Sequence, residues 1–536
     1  MIDNIVRLSV ERRYLLLTLV LVIIGIGIWS YQRLPIDAVP DITNVQVQIN
    51  TEAPGYSPLE AEQRITFPVE TALYGLPNLS YTRSISRYGL SQITVVFEEG
   101  TDIYFARNLI DERLATLKSV LPPGLEPEMG PIATGLGEIF VYTLEAKGGA
   151  KMPDGSPVTP MALREVQDWI IKPQLAQVKG VVEVNTIGGY DKQYHVMPHP
   201  AKMLEMGVTM ADIRKALLSN NDNAGAGYIE NNGEQLLVRS PGQLKTIEDI
   251  RSVVVGRKGS VPVLVNDVAE VGLGKELRTG AATRNGRETV MGTVMMLVGE
   301  NSREVAALTN EKFQQIQTSL PEWVKAEVVY NRTTLVDKAI QTVQKNLLEG
   351  ALLVIVILFL LLGNIRAALI TAAVIPIAMM MTITGMVQRG VSANLMSLGA
   401  LDFGLIVDGA VIIVENCIRR LSEAQKQQGG ILALKARLQE VKDATIEVIR
   451  PSLFGVGIIT AVYFPIFTLS GVEGKMFHPM ATTVVIALLC AMVLSLTVVP
   501  AAIAVFMRGK ISEKESVIIR GAKAIYRPAL EWVLKF

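Results

Sequence analysis

The amino-acid sequence predicts a polytopic α-helical membrane protein that carries a large exported α/β domain. Of its 536 residues, 49% are hydrophobic and only 19% are charged, which is too apolar for an ordinary soluble protein of this length. Six apolar runs are each long enough to cross roughly 30 Å of hydrocarbon. Between the first and second of these runs, residues 32–346 alternate strand and helix patterns.

The composition and motifs do not indicate a nucleic-acid partner, cysteine chemistry or ATP binding. Lys plus Arg and Asp plus Glu are equal at 51 each, so no basic excess indicates a nucleic-acid partner. The two cysteines, Cys417 and Cys490, lie in apolar runs, where packing is a better explanation than a disulfide or a metal pair. No Gly-x-x-x-x-Gly-Lys-Ser/Thr loop occurs in the sequence, so it does not predict ATP as an energy source.

The apolar runs predict the membrane topology. Residues 14–29 follow Arg7, Arg12 and Arg13 and are not followed by a small-residue cleavage site, so residues 1–31 are predicted to form a cytoplasmic N-terminus and an uncleaved first span. Residues 347–507 are predicted to hold five more spans. These are residues 347–362, 367–387, 394–418, 451–469 and 481–507. Basic residues concentrate in the predicted cytoplasmic stretch 419–450, in agreement with the positive-inside rule.

The exported part shows an internal repeat. Residues 32–130 are predicted to form a first subdomain, in which Ser57 and Glu60 make a capping box at a helix start. Residues 131–346 repeat the order of strands and helices, so we expect two subdomains of the ferredoxin-like β-α-β kind. Residues 189–285 interrupt the second subdomain, and an insertion of that size is expected to contact a partner.

The end of the chain predicts further membrane structure. Residues 508–527 have a polar, helix-like pattern and are interpreted as a cytoplasmic linker helix. Residues 528–536 resemble the beginning of a seventh span. We therefore expect the chain to be part of a longer transporter.

Three acids in the predicted fourth span carry the strongest functional signal. Asp402, Asp408 and Glu415 lie in one apolar run, where an acid at the helix centre costs about 2.5–3.5 kcal/mol. Asp408 and Glu415 are seven residues apart, which brings them to one helix face at roughly 10 Å separation. Asp408 is predicted near the middle of the span, where burial favours proton uptake and release. The alternative is that the acids only pair with basic groups on neighbouring helices.

The run from Asp402 to Asn416, with the exported residues 55–60 and the region 465–480, resembles the heavy-metal efflux subfamily of the resistance-nodulation-division (RND) transporters. The resemblance covers the whole chain. It implies a homotrimer in the inner membrane that works with a periplasmic adaptor (a membrane fusion protein) and an outer-membrane channel. It also implies that Asp402, Asp408 and Glu415 form a proton relay that drives metal export, with no permanently bound cofactor.

The same resemblance implies a site for the transported divalent ion. The acid pattern is more similar to the zinc, cobalt and cadmium branch than to the copper and silver branch, which relies on methionines. Glu138 and Asp168 match acids that help to bind metal in zinc-exporting relatives, and carboxylates suit such ions. A solvated role is the simpler alternative for both residues.

Other candidate ligands have weaker support. His195 and His199 could hold zinc if both rings pointed one way, although a surface strand explains them as well. The consecutive methionines 379–381 point in different directions around a helix, so packing is the better interpretation.

These expectations combine into a proton and divalent-cation antiporter, which is not an enzyme. Two alternatives remain at this stage. One is a half-pump that binds adaptor or metal without transporting, and the other is a drug-exporting relative.

Overall fold

The computed structural model describes residues 2–37, 40–240, 242–278, 280–362, 364–399, 401–509 and 517–535. The chain begins with two helices, α1 (Ile2–Glu11) and α2 (Arg13–Arg33). Helix α1 is amphipathic and packs on the later membrane helices, whereas α2 is apolar on all sides. An all-apolar surface helix is typical of a membrane span.

The first exported subdomain is a four-stranded antiparallel sheet covered by helices. Its elements are β1 (Gln46–Glu52), α3 (Pro58–Ala61), a π-helical turn (Glu62–Thr66), α4 (Phe67–Leu73), β2 (Leu79–Arg87), β3 (Leu90–Phe97), α5 (Ile103–Leu117) and β4 (Glu128–Met129). The sheet order is β2-β3-β1-β4. Ser57 and Glu60 form the predicted capping box, in which the Ser57 backbone N–H donates to the Glu60 carboxylate at 2.9 Å. This order and connectivity are those of a ferredoxin-like β-α-β-β-α-β unit.

The second subdomain begins in the same way. Its first elements are β5 (Glu138–Ala146), α6 (Pro160–Val166), a π-helical turn (Gln167–Ile171), α7 (Lys172–Leu175) and β6 (Val181–Ile187). The buried Tyr142 hydroxyl donates to Gln167 Oε1 at 2.8 Å and thereby ties the sheet to the helix layer.

The insertion then leaves the sheet and forms a body with its own core. Its elements are β7 (Lys192–Pro198), α8 (Pro200–Met206), α9 (Met210–Ser219), β8 (Ala224–Asn231), β9 (Glu234–Ser240), α10 (Ile247–Arg251), β10 (Val254–Lys258), β11 (Val261–Leu264), α11 (Val265–Val268), β12 (Ala269–Lys275) and β13 (Ala282–Arg284). Strands β7 and β12 pair along their whole length and join the insertion to the subdomain. Strands β8 and β9 form a separate hairpin that pairs only with itself among the described strands.

Three elements complete the second subdomain, namely β14 (Arg287–Met296), α12 (Ser302–Gln317) and β15 (Val324–Asn331). Strand β14 pairs with β5 and β6, and β15 pairs with the other edge of β5. The resulting order, β6-β14-β5-β15, repeats the topology of the first subdomain. The prediction of two ferredoxin-like subdomains is confirmed.

The rest of the described chain is helical. The helices are α13 (Arg332–Leu362), α14 (Ile365–Arg389), α15 (Leu395–Gly399), α16 (Phe403–Gln428), α17 (Leu434–Val462), α18 (Gly471–Phe506) and α19 (Val517–Lys535). In the described residues, six helices are long and apolar enough to cross a membrane, namely α2, α13, α14, α16, α17 and α18. Helices α14 and α18 are central, because each packs against both α2 and α16.

Several predicted limits differ from the observed ones. The predicted exported loop 470–480 is the first part of α18, and α13 starts at Arg332 directly after the last strand. Helix α17 runs through Pro451, at which the fifth span was predicted to start. Membrane helices tolerate proline when neighbouring groups satisfy the freed carbonyl, so Pro451 does not end the helix. The predicted linker and seventh span fall in one helix, α19, as far as they lie inside the described residues.

A polar junction ties the exported domain to the membrane helices. Asp37, just after α2, accepts hydrogen bonds from Ser302 at 2.9 Å and from the Arg332 guanidinium at 3.1 Å. Ser302 begins α12, and Arg332 begins α13. The Arg332 side chain is only 7% exposed. Three segments that are distant in sequence therefore meet at one buried ion pair, where movement of a membrane helix would reach the exported subdomain.

Candidate functional site

Asp402 starts the acidic helix and does not lie inside it. Its side chain accepts a hydrogen bond from the Gly404 N–H at 2.8 Å, so it caps the N-terminus of α16. The prediction of three acids within one helix is therefore wrong for Asp402. The predicted span from residue 394 is instead divided into α15 and α16, each with its own N-terminal cap, and Asn394 caps the short α15 through the backbone N–H groups of Met396 and Ser397. A capping aspartate is well placed at a helix N-terminus, where the helix dipole favours negative charge.

Asp402 also borders a cavity of about 480 Å³. The wall comes mainly from α13, including Asn346 and Gly350, and from residues 398–399 and 401–403. The Asp402 side chain is exposed to this space. A carboxylate that caps a helix and faces a cavity of this size is accessible to water.

Asp408 and Glu415 share one exposed face of α16. The opposite face packs into the core through Ile406, Ala410 and Ile413. Asp408 lies five residues after Phe403, the first residue of α16. It is therefore nearer to the exported end of the helix than predicted. The two acids thus point away from the bundle that these six helices form.

Neither acid is neutralised in the part of the chain that the structure describes. No hydrogen bond or ion pair to the carboxylate of Asp408 or Glu415 occurs among those residues. An unpaired acid at membrane depth carries an insertion penalty of about 2.5–3.5 kcal/mol. This observation goes against the alternative that the acids only pair with basic groups on adjacent helices of the same bundle.

The cytoplasmic end of the helix is held by a polar network that the sequence analysis missed. Asn416 donates to the Ala444 carbonyl of α17 at 2.7 Å and accepts a hydrogen bond from Arg419 at 2.7 Å. Arg419 is also 3.5 Å from Glu447. Because these contacts fix the rotation of α16 against α17, they keep Glu415 on the exposed face. In the sequence, the sign of this network was a polar residue, Asn416, directly after Glu415.

A close helix contact fixes the same rotation near Asp408. A Cβ atom at Gly409 would lie 3.2 Å from Ser495 Oγ and 3.3 Å from Ser452 Oγ. The absent side chain therefore lets α16 approach α17 and α18 closely. Small residues at such contacts are characteristic of membrane helix packing.

In the exported domain, Asp168 has an ion-pair partner. Arg164 Nε lies 2.5 Å from one carboxylate oxygen, and the Thr186 hydroxyl donates to the other at 2.8 Å. Both side chains of the ion pair are about one quarter exposed. These contacts satisfy the carboxylate without a metal.

Arg164 also approaches a second group of acids. Its Nε is 3.4 Å from Asp191 Oδ1. A hydrogen bond with Asp191, together with some burial and the nearby negative charge, raises the pKa of Glu276 above its ordinary value. The base of the insertion therefore brings the Glu276 and Asp191 carboxyl groups together at the edge of the second subdomain.

Glu138 is the first residue of β5, the strand that pairs with β14 and β15. It is exposed at the start of β5, opposite Met295 of β14, and Met295 is also opposite Glu183 of β6. The neighbouring pair Phe140 and Val294 points into the core that the helices cover. Since successive strand residues face opposite sides, Met295 lies on the open face, and a register shift between Val294 and Met295 sets Glu138 opposite it. Among the described residues, Glu138 and Asp168 belong to no group of three or more acids, histidines or cysteines that could hold a metal ion.

The histidine and methionine candidates are also separated or packed. The His195 ring lies against Gly274 and is 3.1 Å from Gln193, whereas His199 precedes α8 beyond the end of β7. Met380 packs against Gly27 of α2. Among the described residues, no group of three or more His, Cys, Asp or Glu side chains has the arrangement of a metal site.

The insertion carries an exposed apolar hairpin. Tyr228, Ile229, Leu236 and Leu237 of β8 and β9 are each about half exposed or more. Large apolar side chains on an arm without other packing are typical of an interaction surface. The arm fits the expectation that the insertion contacts a partner.

The repeated exported subdomains and the acidic membrane helix define a transporter with the RND fold. The sequence model of the AcrB/AcrD/AcrF family matches residues 5–536, and the chain belongs to this family. It is similar to the solved structure entitled "X-ray crystal structure of a heavy metal efflux pump, crystal form I", with a TM-score of 0.81 and 32% identity. The similarity covers 92% of this chain and 48% of that one.

Two relatives illustrate the range of sequence similarity. The "Cobalt-zinc-cadmium resistance protein CzcA" of Cupriavidus metallidurans is 59% identical over 531 residues, which cover 99% of this chain and 50% of the relative. The "Cation efflux system protein CusA" of Escherichia coli (strain K12) is 37% identical over 542 residues, which cover 100% of this chain and 51% of the relative. The chain thus spans about half the length of these relatives.

Proposed function

We propose that this protein exports divalent heavy-metal cations, of the zinc, cobalt and cadmium type, in exchange for protons. It would act as a subunit of the inner membrane, with the exported domain in the periplasm. The observation that carries the proposal is the exposed face of α16, where Asp408 and Glu415 have no neutralising partner among the described residues. Acids held in this way can exchange protons with water or with a facing helix.

Asp402, Asp408 and Glu415 have different places in the proposed relay. Asp402 is in contact with a cavity at the exported end of α16, so it is suited to receive protons from water. Asp408 follows at about 9 Å along the helix, and Glu415 roughly 10 Å further towards the cytoplasm. When one of these acids takes up a proton, it loses its negative charge. This loss changes the rotation that α16 prefers against its neighbours. The buried Asp37–Arg332 junction would pass such a movement to the exported domain.

The choice of metal rests on two observations. The relative with 59% identity is named for cobalt, zinc and cadmium, whereas the one named CusA is 37% identical. The methionines of α14 are used for packing, since Met380 contacts Gly27 and Met386 is fully buried. The sulfur atoms of Met380 and Met386 are therefore not available to pass soft metal ions along α14.

Glu138 is the better supported of the two proposed metal ligands in this chain. Its carboxylate is exposed at the start of β5, and Glu183 lies on the next strand but one, opposite the same Met295. Asp168 is held by Arg164 and would contribute only if that ion pair opened. We expect Glu138→Gln to weaken zinc binding to the purified protein in calorimetric titration, whereas Glu128→Gln, an exposed acid of the first subdomain, should leave it unchanged.

We further propose a homotrimer that works with a periplasmic adaptor and an outer-membrane channel. The support within this chain is the apolar hairpin of β8 and β9, which extends from the insertion without other packing. Cross-linking from a cysteine placed at Leu237 should trap a species with the mass of three chains. A monomer at all cross-linker concentrations would contradict the trimer.

The transport proposal is tested with the purified chain in lipid vesicles. We expect an imposed proton gradient to drive movement of zinc, cobalt or cadmium and to move copper less. Asp408→Asn should abolish the gradient-dependent movement. The matched control is Asp443→Asn, an acid on the cytoplasmic part of α17 that accepts hydrogen bonds from Gln439, and it should transport normally.

Two results would contradict the proposal. Unchanged export by Asp408→Asn would exclude the proton relay through this residue. No export by folded chain of either sequence would favour the alternative of a half-pump that binds metal or adaptor without transporting, an alternative motivated by the match to half the length of the relatives.

A further inference from the structure

A second surface, distant from the acidic face, has the features of a ligand site. A groove of about 400 Å³ lies between α2, α14 and α18 in their cytoplasmic halves. Its lining is apolar apart from one arginine and consists of Leu17, Val20, Arg366, Leu369, Ile370, Ala373, Val374, Ile377, Val498, Val499, Ala502 and Phe506. The shape and the lining fit an extended hydrocarbon chain.

The length of the groove matches one leaflet of a bilayer. From Arg366 to Ile377 it follows α14 for eleven residues, which corresponds to roughly 16 Å. A hydrocarbon core of roughly 30 Å gives about 15 Å for each leaflet. The groove therefore extends from the cytoplasmic interface to about the bilayer centre, the distance that one acyl chain spans.

The groove opens away from the acidic face of α16. Helices α14 and α18 lie between α2 and α16, because each of them packs against both. Residues exposed at the groove, such as Leu369 and Phe506, are thus on the opposite side of the bundle from Asp408. The site is independent of the proposed relay.

Arg366 lines the cytoplasmic mouth of the groove, and three further arginines lie around the same helix ends. Arg366 donates to the Arg508 carbonyl at 2.6 Å, and Arg437 donates to the Ala504 carbonyl at 3.2 Å. Arg13 and Arg508 are both close enough to Arg437 for their positive charges to act on it. The arginines at the ends of α2, α14, α17 and α18 thus lie close together beside the apolar groove.

These arginines keep unused donors and an uncompensated charge. Carbonyls at or just beyond the C-terminal end of α18 accept one hydrogen bond each from Arg366, Arg437 and Arg508, whereas a guanidinium offers five donors. Arg437 Nε is buried without a hydrogen-bond partner. No carboxylate in the described chain forms an ion pair with Arg13 or any of the other three. Capping of α18 therefore accounts for only part of the cluster.

We propose that the groove binds an anionic phospholipid of the cytoplasmic leaflet, with one acyl chain between α2, α14 and α18 and the phosphate on the arginine cluster. Guanidinium groups bind phosphate oxygens through paired, charge-assisted hydrogen bonds. The charge complementarity at the mouth selects an anionic head group, and the apolar wall selects a lipid over a soluble anion. The bound lipid would fix α2 against α14 and α18.

The test is lipid binding to the purified chain by native mass spectrometry. Phosphatidylglycerol and phosphatidylcholine with the same acyl chains are titrated separately. We expect phosphatidylglycerol to bind about tenfold more tightly, because both lipids offer a phosphate but only phosphatidylcholine brings a positively charged choline ammonium beside the guanidinium groups. Arg366→Ala should remove this preference, whereas Arg366→Lys should keep part of it.

Two further variants separate the head group from the chain. Ala373→Trp, which fills the exposed wall of the groove, should weaken binding of both lipids. Arg389→Ala removes the same charge from the other end of α14 and should change neither. Equal binding of the two lipids, a preference that survives Arg366→Ala and Arg437→Ala, or binding unaffected by Ala373→Trp would overturn the proposal. Displacement of the lipid by an equal concentration of inorganic phosphate would show a simple anion site and would also overturn it.

Discussion

The buried junction between Asp37 and Arg332 gives the prediction with the best-defined magnitude. At 3.1 Å and an effective dielectric constant of about 20, the attraction between the two charges is about 5 kcal/mol. Burial of Arg332, which is 7% exposed, offsets part of this attraction, and Asp37 at 30% exposure remains partly hydrated. We therefore expect a coupling free energy of about 2 kcal/mol between the two side chains.

The perturbation is a double-mutant cycle with Asp37→Asn and Arg332→Met. Asp37→Asn leaves a buried arginine without a counter-charge and should lower the free energy of unfolding by about 2–3 kcal/mol. Arg332→Met should lower it by about 1 kcal/mol, because Asp37 keeps its hydrogen bond from Ser302. The double variant should be more stable than the sum of the two single effects by the coupling energy.

The assay is reversible unfolding of the purified chain in mixed micelles, followed as a function of the mole fraction of denaturing detergent. The control is the same cycle at the exposed pair Arg7 and Glu11, whose side chains are 62% and 58% exposed. Exposed pairs contribute about 0.2–1 kcal/mol, so their coupling should be much smaller. Additive effects at Asp37 and Arg332 would refute the reasoning, since the buried pair would then stabilise no more than a surface pair.

Three further predictions concern packing and pH. Gly409→Leu should separate α16 from its neighbours and destabilise the bundle by about 1–3 kcal/mol in the same assay, whereas Gly455→Leu, with open space around it, should not. Tyr142→Phe should leave the buried Gln167 oxygen without its donor and cost about 1–3 kcal/mol. The raised pKa of Glu276 means that the folded protein binds this proton more tightly than the unfolded chain, so the contribution to stability is full at low pH and is lost as the pH rises above about 4.5. The melting temperature should therefore fall less steeply between pH 4 and 7 in Glu276→Gln than in the parent chain. The same dependence of melting temperature on pH in both proteins would contradict this assignment.

The exported subdomains could be predicted from the sequence because their signals are local. The capping box at Ser57 and the alternation of strand residues mark each element, and the repeat of the same order gives the topology. The pairing partners follow from that topology, since a ferredoxin-like unit has one sheet order. The insertion is a long-range feature, and it returns through β13 to the edge of β14 that also pairs with β6.

The membrane helix limits could not be predicted as well, because composition alone does not distinguish a helix from its cap. Asp402 lies next to an apolar run, yet its side chain bonds to the Gly404 N–H and begins the helix. Residues 470–480 were predicted to be a loop, although α18 begins at Gly471. Hydropathy indicates where hydrocarbon is crossed but not where a helix extends into water.

The candidate sites depended on contacts that are distant in sequence. The shared face of Asp408 and Glu415 followed from their spacing, since both lie on one helix. The contacts of Asp168 did not, because its hydrogen bond from Thr186 joins a helical turn to a strand 18 residues further along the chain. The arginine cluster combines four helix ends, and no local pattern indicates that they meet.

The most direct test of the account is proton movement that depends on metal. Vesicles that contain the purified chain and a trapped pH-sensitive dye are exposed to zinc on one side, first with the parent sequence and then with Asp408→Asn. The account predicts that zinc triggers proton flux in the opposite direction only in the parent chain, with Asp443→Asn behaving like the parent. Zinc transport without proton flux, or equal flux in Asp408→Asn, would contradict it.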